Sequence, residues 1–195
     1  MKILFQQIAL LGDVWVLWIL IGLSILGGAI FYERLRVLRD ELRGAGASSR
    51  IVDGLKEHSR DFSDSSVAIL EQVLHALLLR ERSMLERRLV ILGTIGSNAP
   101  FIGLLGTVLG VIQAFHDLAI TGAGGTAVVM SGIASALVIT GVGLFVAIPA
   151  VIANNYFRTM IEEILGAAEA DGRLQLAALS SKKESHAKSG GAKTK

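Results

Sequence analysis

An all-α protein that crosses a membrane three times is the architecture this sequence predicts. Three observations predict it. Apolar residues make up 52% of the 195 and charged residues only 18%, which is too apolar for a small soluble domain. Three stretches carry no Asp, Glu, Lys or Arg and are long enough for a bilayer, which takes about 20 residues. The basic residues gather in some of the intervening segments and avoid others. Within hydrocarbon every backbone amide needs an internal partner, so the three stretches must be helices.

Residues 1–13 form a short leading segment with a single basic residue, Lys2. The first span is 14–32. Its apolar run is long, and Glu33, Arg34, Arg36, Arg39 and Arg43 follow at once. Basic residues behind the span favour a retained anchor over a cleaved signal peptide. The segment 33–88 holds 11 of the 19 Lys and Arg residues. The second span is 89–115, the link 116–125 has no Lys or Arg, the third span is 126–157, and the tail 158–195 is basic again. The count puts the N-terminus and the 116–125 link outside, and the middle segment and tail in the cytoplasm.

Within the cytoplasmic part, the first helix should continue from Glu33 to Asp40 and break near Gly44, Gly46, Ser48 and Ser49. A short helix is expected over Ile51–His58, and Ser63, Asp64 and Ser65 offer caps to the next. From Val67 the apolar stripe of Leu70, Val73, Leu74, Leu77, Leu78, Met84 and Leu85 shows helical spacing. Without a strong breaker the spacing predicts one helix from Val67 to Phe115. Glu71, Arg80, Glu81, Arg82, Glu86, Arg87 and Arg88 read as its solvated face. Met160, Ile161, Ile164 and Leu165 prolong the third helix beyond its span, whereas 180–195, rich in Lys, Ser, Gly and Ala, reads as disordered and able to touch anionic lipid.

The spans are built for close packing. Gly96, Gly103, Gly110 and Ala114 fall in a narrow arc of the second span, with Thr107 about 40° to one side at 100° per residue. Gly132, Ala136 and Gly143 cluster on the third, and Gly141 points elsewhere. Pro149 is expected to kink that helix. Ser131, Ser135 and Thr140 are polar, but Thr140 stands about 140° from Ser135, so no single line joins all three. The hydroxyls of Thr107 and Thr140 have two readings: ordering water along a path, or bonding a carbonyl one turn back. Neither span has the ionisable residue that usually marks an ion path.

Other chemistries are excluded or weak. Cysteine is absent, and His58, His75, His116 and His186 have no metal-ligand spacing, so no metal site is predicted. No Gly-x-x-x-x-Gly-Lys-Ser/Thr loop is present, so neither nucleotide nor other cofactor is expected. A net charge of +2 gives no reason to expect nucleic acid. An intramembrane serine protease would need a histidine base within reach of Ser131 or Ser135, and His116 is the only one nearby. The chain is not expected to be an enzyme.

Two long runs carry a family resemblance. Gly93-Thr94-Ile95-Gly96-Ser97-Asn98-Ala99-Pro100-Phe101-Ile102-Gly103-Leu104-Leu105-Gly106-Thr107-Val108-Leu109-Gly110 resembles the second span of ExbB and TolQ proteins. Gly143-Leu144-Phe145-Val146-Ala147-Ile148-Pro149-Ala150, then Asn155-Tyr156-Phe157, resembles their third. With the topology, the resemblance covers about residues 10–170. It implies a proton-channel stator subunit of the bacterial inner membrane, forming a homo-oligomeric ring, typically a pentamer. The ring would surround single-span helices of an ExbD- or TolR-type partner that carries a membrane aspartate. Proton flow would then do work through a TonB- or TolA-type protein. By position, Thr107 and Thr140 match the family threonines facing the pore, and Pro149 the proline below them. Where the family usually has Ile-Ala-Glu-Ala-Leu, this chain has Ile133-Ala134-Ser135-Ala136-Leu137. Ser135 is therefore the candidate pore-lining residue at that position, and it cannot hold a proton as a carboxylate does. MotA-type flagellar stators are more distant, having four spans. An ExbB-like subunit serving TonB-dependent transport is the expectation. A TolQ-like subunit of the Tol-Pal system and a non-conducting scaffold are the alternatives.

Overall fold

The computed structural model describes residues 14–44, 46–61, 67–121 and 125–191. They form five helices: α1 Val14–Gly44, α2 Gly46–Asp61, α3 Val67–Glu86, α4 Leu89–Thr121 and α5 Thr126–Gly191. No strand occurs among the described residues. Three helices, α1, α4 and α5, are long and apolar enough to cross a membrane. The chain divides into two compact units. One is formed by α1 up to Glu33 together with Arg88–Tyr156, and the other by Arg34–Arg87 together with α5 from Phe157.

The membrane unit is held by one cluster. Val16 and Leu20 of α1 meet Ile95, Ala99 and Leu109 of α4 and Ile139, Val146, Ala147 and Ala150 of α5. Along α4 and α5 the small residues make the seam. A Cβ added at Gly96 would lie 2.6 Å from Val151 Cγ2, one at Gly106 2.5 Å from Ile139 Cγ2, and one at Gly132 2.7 Å from Ala114 Cβ. Each step forward along α4 meets an equal step back along α5, so the two run antiparallel in fixed register. The least yielding point is Gly143, where a Cβ would fall 2.8 Å from the Ala99 carbonyl oxygen and 3.0 Å from Gly103 Cα. Both obstacles are backbone and cannot rotate away. Lipid is as apolar as the side chains, so this close approach, and not water exclusion, draws the two helices together. Gly110 is buried on the same helix, and Gly141 has nothing within 4 Å, both as the sequence spacing required.

The second unit packs α2, α3 and the later part of α5. Gly54 of α2 sits under Leu77 of α3, and Gly172 of α5 under Leu74 of α3 and Ile51 of α2. Its polar centre is Arg50 of α2. The guanidinium bonds Glu81 of α3 at 2.9 to 3.2 Å and Glu41 of α1 at 3.1 Å. The hydrogen bond to Glu81 raises the Arg50 pKa above its usual value; burial opposes this, and the charges of both carboxylates and the bond to Glu41 reinforce it. Glu41 Oε2 would lie only 2.6 Å from a Cβ at Gly46, the first residue of α2. That carboxylate thus stands at the positive end of α2, where a side chain at residue 46 would displace it.

Several expectations need correction. The helix foreseen from Val67 to Phe115 is two helices, with a turn at Arg87–Arg88. There the Ile91 amide bonds back to the Arg88 carbonyl at 3.3 Å, and Arg88 pairs with Glu33 of α1. The sequence has no Gly or Pro at this point to announce the turn. Helix α4 runs on to Thr121, six residues past the foreseen span end. Helix α2 covers Gly46–Asp61, more than the foreseen Ile51–His58, whereas α1 ends at Gly44, where the break was foreseen. The charged face of α3 is not all solvated, since Glu81 is only 6% exposed and its carboxylate is satisfied by Arg50. The tail is helical to Gly191, in keeping with its Ala and Lys content. The caps foreseen at Ser63, Asp64 and Ser65 lie outside the described residues.

Two substitutions test this account. Gly143→Val should force α4 and α5 apart at a cost of about 1–3 kcal/mol, whereas Gly141→Val should cost far less. Thermal unfolding of the two variants in one detergent makes the comparison. Glu81→Ala leaves Arg50 with Glu41 alone. Because the Arg50 side chain is 44% exposed, the loss should be only about 1–2 kcal/mol. It should appear as faster amide exchange in α2 and α3, with α4 unchanged.

Candidate functional site

The α4–α5 seam decides which polar groups can meet. Gly103 has no side chain, so its carbonyl lies open to α5 at the narrowest point. Thr140 of α5 donates to that carbonyl at 3.1 Å. Thr107, one turn on from Gly103, reaches the same carbonyl at 3.2 Å and the Ala136 carbonyl of α5 at 3.5 Å. The two hydroxyls also contact each other directly. Both threonines are half-buried.

A hydroxyl has one proton to donate and two lone pairs to accept with. Three oxygens, Gly103 O, Thr107 Oγ1 and Thr140 Oγ1, therefore share two protons. Thr140 can donate to Gly103 while Thr107 donates to Thr140. Equally, Thr107 can donate to Gly103 while Thr140 donates to Thr107. Either arrangement satisfies both protons, so the direction of the pair can reverse without stranding a donor. Each hydroxyl keeps accepting capacity for a donor from outside the chain. Of the two readings of these threonines, carbonyl back-bonding holds for Thr107 toward Gly103, whereas Thr140 bonds across to the other helix.

Ser135 is not part of this group. It is exposed on α5, on a different face from Thr140, as the angular spacing required. Gly96 and Gly103 lie in the seam. Pro149 is exposed and lines a groove between α1, α4 and α5.

A polar strip on α4 was not singled out from the sequence. Thr94, Ser97 and Asn98 are exposed and share one side of the helix. Their donors turn back onto the helix: Thr94 to Val90 O at 2.8 Å, Ser97 to Gly93 O at 2.9 Å and Asn98 to Thr94 O at 2.9 Å. The signal was available, since three polar residues within five positions of an uncharged span are unusual. Ionisable side chains stay at the span ends. Glu33 and Arg88 pair at one, and at the other Gln113 donates to Asp117 at 3.0 Å, with His116 3.7 Å from the same carboxylate. Among the described residues no group of three or more His, Cys, Asp or Glu could hold a metal.

The chain is 43% identical over 119 residues to the Tol-Pal system protein TolQ of Pseudomonas aeruginosa, covering 58% of this chain and 52% of that protein. It is 38% identical over 96 residues to the biopolymer transport protein ExbB of Xanthomonas campestris, covering 49% and 38%. The chain thus spans about half or less of these two relatives. With the TolQ of Haemophilus influenzae the match is longer, 34% identical over 183 residues, covering 76% of this chain and 80% of that protein. The family model described as the MotA/TolQ/ExbB proton channel family matches residues 45–170, which include α2, α3, α4 and most of the apolar part of α5. This membrane protein belongs to the MotA/TolQ/ExbB proton channel family.

Proposed function

We propose that the chain is the multi-span subunit of an inner-membrane proton-channel stator, which turns the proton motive force into work on the cell envelope. The observation that carries this reading is the Thr107–Thr140–Gly103 group. It is a reversible hydrogen-bond pair inside a seam of two spans that have no ionisable side chain of their own. Such a pair can pass or accept a proton's hydrogen bond but cannot store the proton. The storing carboxylate therefore comes from a second protein, a single-span ExbD- or TolR-type partner within a ring of this chain, pentameric as the resemblance implies. The distribution of Lys and Arg supports a periplasmic N-terminus and a cytoplasmic C-terminus. The work is delivered through a TonB- or TolA-type protein, and the chain itself performs no covalent chemistry.

The first reading is service to TonB-dependent transport. A Tol-Pal role is the second, favoured by the length of the match to the Haemophilus TolQ. Complementation separates them. Rescue of energy-dependent siderophore uptake in a strain lacking its ExbB supports the first, and rescue of detergent resistance in a strain lacking its TolQ supports the second.

The channel is tested in liposomes carrying an internal pH dye, with the chain co-reconstituted with its single-span partner. Acid entry under an imposed potential should vanish when the partner's membrane carboxylate is replaced by its amide. Thr140→Val keeps the volume and removes the hydroxyl, and should lower entry about tenfold with assembly intact. Undiminished entry in that variant would remove the hydroxyl pair from the path. Absence of entry in the unmodified complex would turn the reading toward a non-conducting scaffold.

A further inference from the structure

The membrane unit carries a groove of about 270 Å³ between α1, α4 and α5, which the proposed proton path does not use. Its floor is built from small residues, Gly27 and Gly28 of α1 and Ala150 and Ala153 of α5, and the rings of Phe31 and Phe145 flank it. Ser24 is the one hydroxyl in its lining. The groove is open to the surface: Gly28 and Phe31 are exposed, and Phe145 is 76% exposed. A side chain at Gly28 would meet nothing within 4 Å, so the groove exists because that position lacks one.

The lining and its end select the occupant. On α1 the lining runs from Leu23 to Phe31, about 12 Å at the helical rise, and it is apolar except for Ser24, so it suits a hydrocarbon chain laid along the helices. The groove ends at a charged boundary. Two residues beyond Phe31 stands Glu33, and one turn before Leu92 stands Arg88, and these two pair. Arg88 remains 53% exposed and has five donors, more than a single carboxylate contact consumes. An apolar slot that ends at an exposed arginine is complementary to a phospholipid, tail in the slot and phosphate on the guanidinium.

We propose that this groove is a phospholipid site, one per chain, with an acyl chain lying along Gly27, Gly28, Ala150 and Ala153 and the phosphate held by Arg88. The lipid fills a void that the three helices leave between them, and it ties α1 to α5 across Pro149. The site is independent of the proton path, since it requires only that the helices span a membrane.

The test uses the full chain in its native assembly, purified in detergent, titrated with dioleoylphosphatidylglycerol and followed by native mass spectrometry. One tightly held lipid per chain is expected. Gly28→Leu fills the slot without touching another residue at its Cβ and should lower occupancy about tenfold. Gly22→Leu is the control, since Gly22 is an exposed α1 glycine with nothing within 4 Å and lies outside the groove, and it should leave occupancy unchanged. Arg88→Gln should weaken binding several-fold, and titration with dioleoylglycerol, which lacks the phosphate, should erase that difference. Equal occupancy in the two leucine variants overturns the site, and binding unaffected by Arg88→Gln overturns its headgroup assignment. Dissociation of the assembly by Gly28→Leu but not by Gly22→Leu also overturns it, because the groove would then hold a second copy of the chain.

Discussion

The distance between α4 and α5 at Gly103 and Gly143 governs what the membrane unit can do. Side chains there would separate two backbones that now touch, and Thr140 could no longer reach the Gly103 carbonyl of the other helix. In water a similar helix pair could be held by burying a stripe of leucine. In lipid that driving force is missing, and contact between backbones plus a few interhelical hydrogen bonds must replace it. Packing and chemistry thus share one set of atoms. The Gly103 carbonyl is both a structural acceptor and a member of the hydroxyl group, so the glycines that look merely permissive also set the polar geometry.

The absence of ionisable side chains from the spans has a physical consequence. A carboxylate held in the seam would have to be stabilised in every state of the assembly, protonated or not. Neutral hydroxyls carry no such cost and can still turn their hydrogen bonds around. In the proposed complex the labour divides: this chain supplies a neutral lining and its partner the group that changes charge. Ser135 fits this division from a different direction. It stands on an exposed face away from Thr107 and Thr140, so it takes no part in the hydroxyl pair.

Much of this was legible in the sequence. The spans show as uncharged apolar runs, and Gly96, Gly103, Gly132 and Gly143 follow from angular position, whereas Gly106, which also packs in the seam, lay outside the arc read from the sequence. The meeting of Thr107 with Thr140 was not legible from either helix, because it depends on the register between them, which Gly96, Gly103, Gly106 and Gly132 set together. The break at Arg87–Arg88 left no mark, since neither residue disfavours a helix strongly. The burial of Glu81 could have been foreseen. It falls seven residues after Leu74 and four before Leu85, on the apolar stripe, whereas Arg80 and Arg82 beside it suggest a solvated face. Its partner, Arg50, lies 31 residues away in sequence, so no local pattern could pair them.

The exposed faces of α1 and α4 both carry large apolar residues, Phe101 and Leu104 among those of α4, but α4 adds a polar strip that bears on assembly. Helix α1 exposes Trp18, Ile25, Leu26 and Phe31, large apolar groups suited to lipid. Helix α4 exposes Thr94, Ser97 and Asn98, whose donors are already engaged by their own backbone. A strip of that kind gains little in hydrocarbon, yet it can lie against water or another helix without leaving a donor unmet. In the proposed ring, an outward α1 and an inward α4 give each surface the environment its side chains suit. The reverse arrangement would bury the tryptophan and phenylalanine face beside water and turn the asparagine toward lipid tails. In that proposed ring, the side chains each span exposes set which way the chain would turn among its copies.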